Sequence, residues 1–342
     1  MRSNEKFPDQ SAWQYRRGGD LSYDSTMKIL VTGAAGFIGS HTCERLLAAG
    51  HWVDGVDNFR SGHSRNLANA TLSPNFCFHH VDLTDPSKTE RLFARTKPEA
   101  IIHLAALVSV PESIEKPALN RLLNVEMTRI VADAAQRHKV SRIVFSSSAA
   151  VYGEPAMLPL PESAEKRPMS PYGDAKLESE EILMRWAANT NSTAICLRYF
   201  NVYGPRQDPE SPYSGVISLF TKRCATGHPV AIFGTGRQTR DFVYVTDVAL
   251  ANQMSATQRK LNTAVINICT GRSSSLLQLL DILRIHHPDA PPAQYLPPRN
   301  GDILHSYGTF ERAAEMLGFV ASVELKDGLL FLLKSSETSS LQ

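Results

Sequence analysis

Tyr172 and Lys176 stand four residues apart in Ser170-Pro171-Tyr172-Gly173-Asp174-Ala175-Lys176, downstream of the serine-rich stretch Ser146-Ser147-Ser148-Ala149-Ala150-Val151-Tyr152-Gly153. On a helix that spacing puts two side chains on one face, so the Lys176 ammonium can lie beside the Tyr172 phenol. The chemistry this offers is proton abstraction by a tyrosine. An ordinary phenol titrates near about 10, so action near pH 7 needs roughly three units of depression, on the order of 4 kcal/mol in favour of phenolate. A neighbouring positive charge works in that direction, and a serine beside the phenol can relay its proton. Ser148, Tyr172 and Lys176 are therefore the candidate catalytic residues.

Such a set has to be held by strands and helices, and the upstream chain supplies them. Ile29–Val31 is a short apolar run, followed by Thr32-Gly33-Ala34-Ala35-Gly36-Phe37-Ile38-Gly39 and a helix expected over Ser40–Ala49, stopped by Gly50. The glycines Gly33, Gly36 and Gly39 let backbone approach a pyrophosphate whose charge is held at the helix N-terminus. Their G-x-x-G-x-x-G spacing is one residue longer than the general fingerprint. A second apolar run, Trp52–Val56, ends in Asp57, eighteen residues beyond Gly39. A carboxylate there accepts both adenosine ribose hydroxyls and repels a 2'-phosphate, favouring NAD over NADP, with nearby Arg60 the residue that speaks for NADP. Asp54 reads as a solvent-facing or edge residue.

Further strands are expected at Phe76–Val81, Ala100–Leu104 and Arg142–Phe145, with a helix at Met127–Arg137 after Asn124. The alternation predicts an α/β protein with a doubly wound parallel sheet whose C-terminal strand ends carry Gly33, Asp57, Asp82, Ala105 and Ser148. His79 and His80, on opposite faces of one strand, and His103 read as structural. No metal site is expected.

Composition narrows the partners. The 342 residues carry 36 Lys+Arg against 34 Asp+Glu, a formal charge of +2, so nothing steers the chain toward nucleic acid or a membrane surface. Cys43, Cys77, Cys196, Cys224 and Cys269 are far apart and read as core thiols of a reducing compartment. With no membrane-length apolar run and no secretory leader pattern, the expected location is cytoplasmic. Residues 1–26 read as a flexible extension, with Met27 as the functional start.

With glycine turn, Asp57, Ser148 and Tyr172/Lys176 in order, the chain resembles the extended short-chain dehydrogenase/reductases of the NAD-dependent sugar epimerase/dehydratase family, from Met27 to about Gly328. His103-Leu104-Ala105-Ala106 and Arg198-Tyr199-Phe200-Asn201-Val202-Tyr203-Gly204 add to it. Among members it is most similar to UDP-hexose 4-epimerases. The resemblance implies a Rossmann-type NAD-binding domain over 27–200 and a smaller C-terminal substrate-binding lobe over 201–336, with 241–270 returning to the first domain. It implies NAD contacts at Phe37, Ile38, Asp57, Asn58, Asp82, Leu83, Leu104, Ala105, Ala106, Asn124, Tyr172, Lys176 and Phe200. Nucleotide-sugar contacts are implied at Ser148, Asn201, Val216, Ala231, Phe233, Arg240, Arg299, Asp302 and Ser306.

These positions suit their roles, since two arginines can fork onto a diphosphate and an aromatic residue suits a planar base. The alternative for Arg240 is a surface salt bridge with Asp241. The cluster Pro291, Pro292, Pro297 and Pro298 reads as a rigid connector placing Arg299. The implied reaction oxidises the sugar C4 alcohol to a ketone, with Tyr172 as base, and returns the hydride to the opposite face. Dehydratases of the family carry an Asp-Glu pair, and decarboxylases a glutamate, where this chain has Ala149 and Ala150; these and a reductase are the alternatives within the family. Ser306, where some epimerases have a tyrosine, implies room for N-acetylated sugars. A non-catalytic NAD-binding regulator is the alternative from another class, and it would show a damaged Ser/Tyr/Lys set. A homodimer is implied, packed through the helix after Asn124 and the helix bearing Lys176.

Overall fold

The computed structural model describes residues 26–208, 215–298 and 303–339, the last four by backbone alone. Arg299, Asp302 and the expected extension, apart from Thr26, lie outside the described residues. The first half alternates β1 (Lys28–Thr32), α1 (Phe37–Ala48), β2 (Trp52–Asp57), β3 (Phe76–His80), α2 (Pro86–Thr96), β4 (Ala100–His103), the short α3 (Val110–Glu115) and α4 (Pro117–Asn120), α5 (Met127–Arg137), β5 (Arg142–Ser148), α6 (Pro171–Thr190) and β6 (Thr193–Tyr199). The second half runs β7 (Asn201–Tyr203), α7 (Val216–Ala225), β8 (Ala231–Phe233), β9 (Thr239–Arg240), β10 (Phe242–Tyr244), α8 (Val245–Thr257), β11 (Ala264–Ile268), β12 (Ser274–Ser275), α9 (Leu276–His286), β13 (Gln294–Leu296), β14 (His305–Ser306), α10 (Glu311–Leu317) and α11 (Leu325–Ser339).

Seven strands form one parallel sheet in the order β11-β6-β5-β4-β1-β2-β3. Successive residues of each strand point to opposite faces, and helices cover both faces of the inner strands, so the middle residues of strands such as β1 and β4 are apolar on both sides. Ile29, Val31, Val144, Ile195 and Leu197 pack on one side with Leu46 of α1 and Val248 and Ala251 of α8. Leu30, Ile143, Phe145, Ala194 and Cys196 face the other way, onto Phe93 of α2, Val131 of α5 and Leu183 and Trp186 of α6. A separate core in the second half joins Tyr203, Ile217, Phe220, Ile232, Leu279, Leu283 and Leu329. The paired strands β7/β10, β8/β13 and β12/β9/β14 lie outside the large sheet. No helix among the described residues is long and apolar enough to cross a membrane.

The departures from the expected boundaries have physical causes. Helix α1 starts at Phe37 rather than Ser40, because Gly36 already has the extended backbone of an N-cap. Strand β5 runs three residues beyond Phe145, since Ser146, Ser147 and Ser148 pair in register with Leu197, Arg198 and Tyr199. Asn124 does not precede its helix but lies inside a π-helical stretch, Arg121–Glu126, that leads into α5. Cys77, on the outermost strand β3, is exposed, unlike the four other, buried cysteines. Asp54 is not simply solvent-facing: its Oδ1 lies 2.6 Å from His79 Nε2.

Candidate active site

Strand order reverses between β1 and β4, which opens a crevice at their C-terminal ends. Thr32 and His103, the last residues of those strands, face each other in register across it. Thr32 Oγ1 accepts from the amides of Leu104 and Ala105, both at 3.0 Å, so its own hydrogen goes to His103 Nδ1 at 2.8 Å. His103 is then neutral with its proton on Nε2, which reaches Thr128 Oγ1 at 3.2 Å, and Thr128 donates to Asn124 O at 2.6 Å. Burial, and secondarily the Lys176 charge, pulls His103 down to about 3, consistent with that neutral form. The packed histidine thus anchors the Leu104–Ala105 backbone.

The glycine turn is equally tight. Gly33 has φ +68°, and a Cβ there would stand 2.8 Å from Ala105 N. A Cβ on Gly39 would stand 2.0 Å from Gly33 O, so α1 and the turn touch backbone to backbone. Phe37 and Ile38 occupy the first turn of α1. At the end of β2, Asp57 accepts from the amides of Ala35 at 3.0 Å and Phe59 at 2.7 Å. Burial raises the Asp57 carboxyl, against the bonds from Phe59, Ala35 and Asn58. Burial also pushes Asp82 up, but bonds from Thr84 and the Asn58 side chain outweigh it and hold Asp82 below its usual range. Leu83 is buried beside it. Arg60 is paired with Glu112 at 2.7 Å. Asn124 donates to Leu107 O and Asn120 Oδ1, leaving its buried Oδ1 without a partner.

Ser148 closes β5, and its Oγ accepts from Ala150 N at 3.2 Å, turning the chain through Ala149–Val151. Helix α6 begins at the Ser170 cap with Pro171 in its first turn, and a Cβ on Gly173 would lie 2.8 Å from Ala150 O. That close approach brings Tyr172 to Ser148, whose hydroxyl favours the ionised phenol. Lys176 is buried, donates to Ser146 O at 2.7 Å, and lies 5.8 Å from the centre of the Tyr172 ring. In the protein by itself, burial works against the depression that a base needs. Burial raises Tyr172 above its ordinary value, with the Ser148 hydroxyl acting against it. Burial also lowers Lys176 to about 7, opposed by Glu180 and Cys196. Two groups removed from water each resist ionisation, so proximity alone does not make the phenolate.

In the second half, Arg240 on β9 is in register with Ser306 of β14 and Ser274 of β12. Asp241 is not its salt-bridge partner. The buried Asp241 carboxylate accepts from Thr270 N and Oγ1, both at 2.8 Å, and from Gly271 N at 2.9 Å. Asn201 N donates to Asp241 O at 2.9 Å, which sets exposed Asn201 beside this arm. Phe233 ends β8, which Ala231 begins, and its carbonyl accepts from buried Gln238 at 2.8 Å. Val216 opens α7 behind Gly215. Buried Phe200 abuts Gly308, where a Cβ would stand 2.6 Å from its ring, so the β14 loop meets the end of the large sheet.

Among the described residues, one cluster has metal-ligating chemistry: Asp54, Cys77 and His79 hold ligand atoms within 4.8 Å of one another. The 2.6 Å His79–Asp54 bond satisfies two of these groups with each other.

A doubly wound parallel sheet, a glycine turn at its crevice and a Ser/Tyr/Lys set on the next strand and helix define an NAD-dependent enzyme of the short-chain dehydrogenase/reductase type. The donor set fits the dinucleotide: backbone without side chains at Gly33, a pinned carboxylate at the β2 end, and a buried ammonium with hydrogens to spare. The chain belongs to the NAD dependent epimerase/dehydratase family, whose model matches residues 29–269. A UDP-glucose 4-epimerase of Mycolicibacterium smegmatis is 38% identical over 311 residues, 89% of this chain and 96% of that protein. The crystal structure of Thermotoga maritima UDP-glucose 4-epimerase with UDP-glucose superposes with a TM-score of 0.87 at 37% identity, covering 92% of this chain and all of that one. UDP-N-acetylglucosamine 4-epimerase of Methanobrevibacter ruminantium, in complex with UDP-N-acetylmuramic acid, gives a TM-score of 0.87 at 33% identity over 92% and 99% of the two chains.

Several residues of this site had no role assigned from the sequence, although Thr32 and Arg198 open motifs quoted above. Thr32, Glu180, Arg198 and Asp241 act by bonds to residues far away in the chain, and only their burial in the fold exposes the roles.

Proposed function

We propose that this chain catalyses the NAD-dependent 4-epimerisation of a UDP-hexose, with Tyr172 as base, Ser148 as proton relay and Lys176 as the activating cation. The observation that carries it is the placement of Tyr172 and Lys176 on α6 against the serine end of β5, with Lys176 bonded to Ser146 O, beside Ala149 and Ala150. An alanine transfers no proton, so the turn offers nothing for water elimination or decarboxylation, whereas epimerisation needs only the alcohol oxidation and its reversal. The chemistry supplied by bound NAD is reversible hydride acceptance, so a C4 alcohol passes through a 4-ketone and returns inverted without net oxidation.

The protein's own residues do the rest. Tyr172 takes the proton of the sugar 4-hydroxyl, and Ser148 hydrogen-bonds the reacting oxygen. Lys176 uses one N–H on Ser146 O and keeps two to donate. Asp57 and the Gly33–Gly39 turn hold the dinucleotide, with Asn58, Asp82, Leu83, Leu104, Ala105, Ala106, Asn124 and Phe200 around it; Arg60, bonded to Glu112, is engaged elsewhere, which supports NAD over NADP. Arg240, Asn201, Val216, Ala231 and Phe233 receive the nucleotide sugar together with Arg299 and Asp302. Ser306 beside Arg240 leaves room for an N-acetyl group, so both UDP-glucose and UDP-N-acetylglucosamine are substrates on this reading.

The deciding experiment incubates purified protein, without added NAD, with UDP-glucose, UDP-N-acetylglucosamine or UDP-glucuronate and identifies products by NMR. A 4-epimer is expected. Carbon dioxide release or an accumulating 4-keto sugar would refute the proposal. A homodimer packed through α5 and α6 goes with it, with exposed apolar residues beside them at Leu122, in the π-helical stretch leading into α5, and Ile114 of α3, and gel filtration at the monomer mass would contradict it. Free cysteines and a sugar-nucleotide substrate suit the cytoplasm.

A further inference from the structure

Three consecutive serines at the end of β5 each meet a different residue of α6. Ser148 acts on the Tyr172 phenol, Ser146 O accepts from Lys176, and Ser147 Oγ donates to Glu180 Oε1 at 2.5 Å. Tyr172, Lys176 and Glu180 are spaced by four, so they form one stripe along the helix. Glu180 is 4% exposed and Arg198, on β6, 2%. Arg198 forks onto it, Nε at 2.8 Å and Nη2 at 2.6 Å. The far side of the guanidinium donates to Tyr152 Oη at 3.0 Å and Glu162 O at 3.2 Å, and Tyr152 donates to Asn267 Oδ1 at 2.7 Å. A buried ion pair is a weak source of stability, since an apolar pair of similar volume commonly does as well. This one sits one helical turn from the lysine that must stay charged.

Resting on the epimerase reading, we propose that Glu180 is a positioning residue of the reaction: its carboxylate, fixed by Arg198 and Ser147, holds the Lys176 ammonium charged and in place beside Tyr172. The groups facing Lys176 are Tyr172 and Glu180 on its own helix, His103 from β4, and Cys196 with Arg198 beyond it from β6. Burial drives Lys176 toward its neutral form, His103 is itself held neutral, and Glu180 is the first of the charges that oppose the burial. Losing that charge lets lysine shed its proton at lower pH. The alkaline limb of the rate profile then moves down.

The test compares wild type, Glu180→Gln and the double variant Glu180→Gln/Arg198→Met. Lys176 ionisation is read by NMR of ¹³C-lysine-labelled protein, with its signal assigned through Lys176→Met, and kcat is followed against pH. In both variants the Lys176 midpoint and the alkaline limb should fall by about one unit, a tenfold loss of proton affinity. The double variant removes Arg198 together with its counter-ion, so no guanidinium is left buried without a carboxylate. A double variant with the wild-type midpoint would show that Glu180 serves only Arg198, and it decides alone should the single variant not fold. An unchanged midpoint in a folded single variant likewise overturns the proposal. The epimerase reading stands apart, because it fails on wild-type product analysis, while the NMR titration reads the Glu180–Lys176 coupling whether or not sugar turns over.

Discussion

At the scale of single residues, the site is a set of groups whose solvation opposes their chemistry. Tyr172→Phe removes only the hydroxyl that meets Ser148, so the protein should keep NAD, seen by absorbance after gel filtration, while 4-epimer formation is lost; substantial remaining turnover would move the base elsewhere. Lys176 gives a sign that can be checked on stability. Its folded value of about 7 lies below the ordinary lysine value of about 10.4, so between these limits the unfolded chain binds a proton that the folded one does not. Lys176 therefore makes NAD-free protein more stable as pH rises from 7 to 10, and urea unfolding of Lys176→Met should show a shallower rise. Ser306→Tyr fills space beside Arg240 and should depress turnover of UDP-N-acetylglucosamine more than that of UDP-glucose, by about tenfold, in a side-by-side assay. The catalytic candidates were legible because helical periodicity places Tyr172 and Lys176 together within one short segment. The ionisation of these groups was not, because burial is set by strands from elsewhere in the chain.

At the scale of elements, close backbone contacts and one buried carboxylate set the site's geometry. Gly39→Ala would place a methyl 2.0 Å from Gly33 O, forcing α1 away from its turn, and purified protein should lose its NAD absorbance while circular dichroism still reports the sheet. Asp241→Ala leaves the amides of Thr270 and Gly271 without their acceptor, a cost of about 1–3 kcal/mol for each buried donor. The slack falls on the β9/β14 pair that carries Arg240 and Ser306, so KM for the nucleotide sugar should rise about tenfold or more with a smaller change in kcat. Periodicity and turn residues marked most strands and the α5 helix closely. They missed the extension of β5 into serines, because ladder bonds to β6 override the low strand preference of that residue. They also missed the early start of α1, because glycine reads as a turn whether it caps a helix or packs inside one.

At the scale of the whole molecule, the large sheet draws on both halves of the chain. Helix α8 lies on α1, tied by Arg45 to Gln253 at 2.7 Å and Asn252 to Thr42 at 3.0 Å, and β11 pairs with β6 at the sheet's margin. Crossings of this kind were hard to read locally, since β11 resembles any short apolar run until its partner is known. The position of β11 also has a meaning for synthesis. Strand β6 ends at Tyr199, yet the strand that covers its outer side ends at Ile268. During translation at roughly 5–20 residues per second, the nascent chain carries an unpaired strand edge for on the order of 10 s before its cover emerges. An edge of buried-type residues is an invitation to pair with another chain. Ribosome-bound chains halted before Ile268 are therefore the stage at which this protein most needs a chaperone.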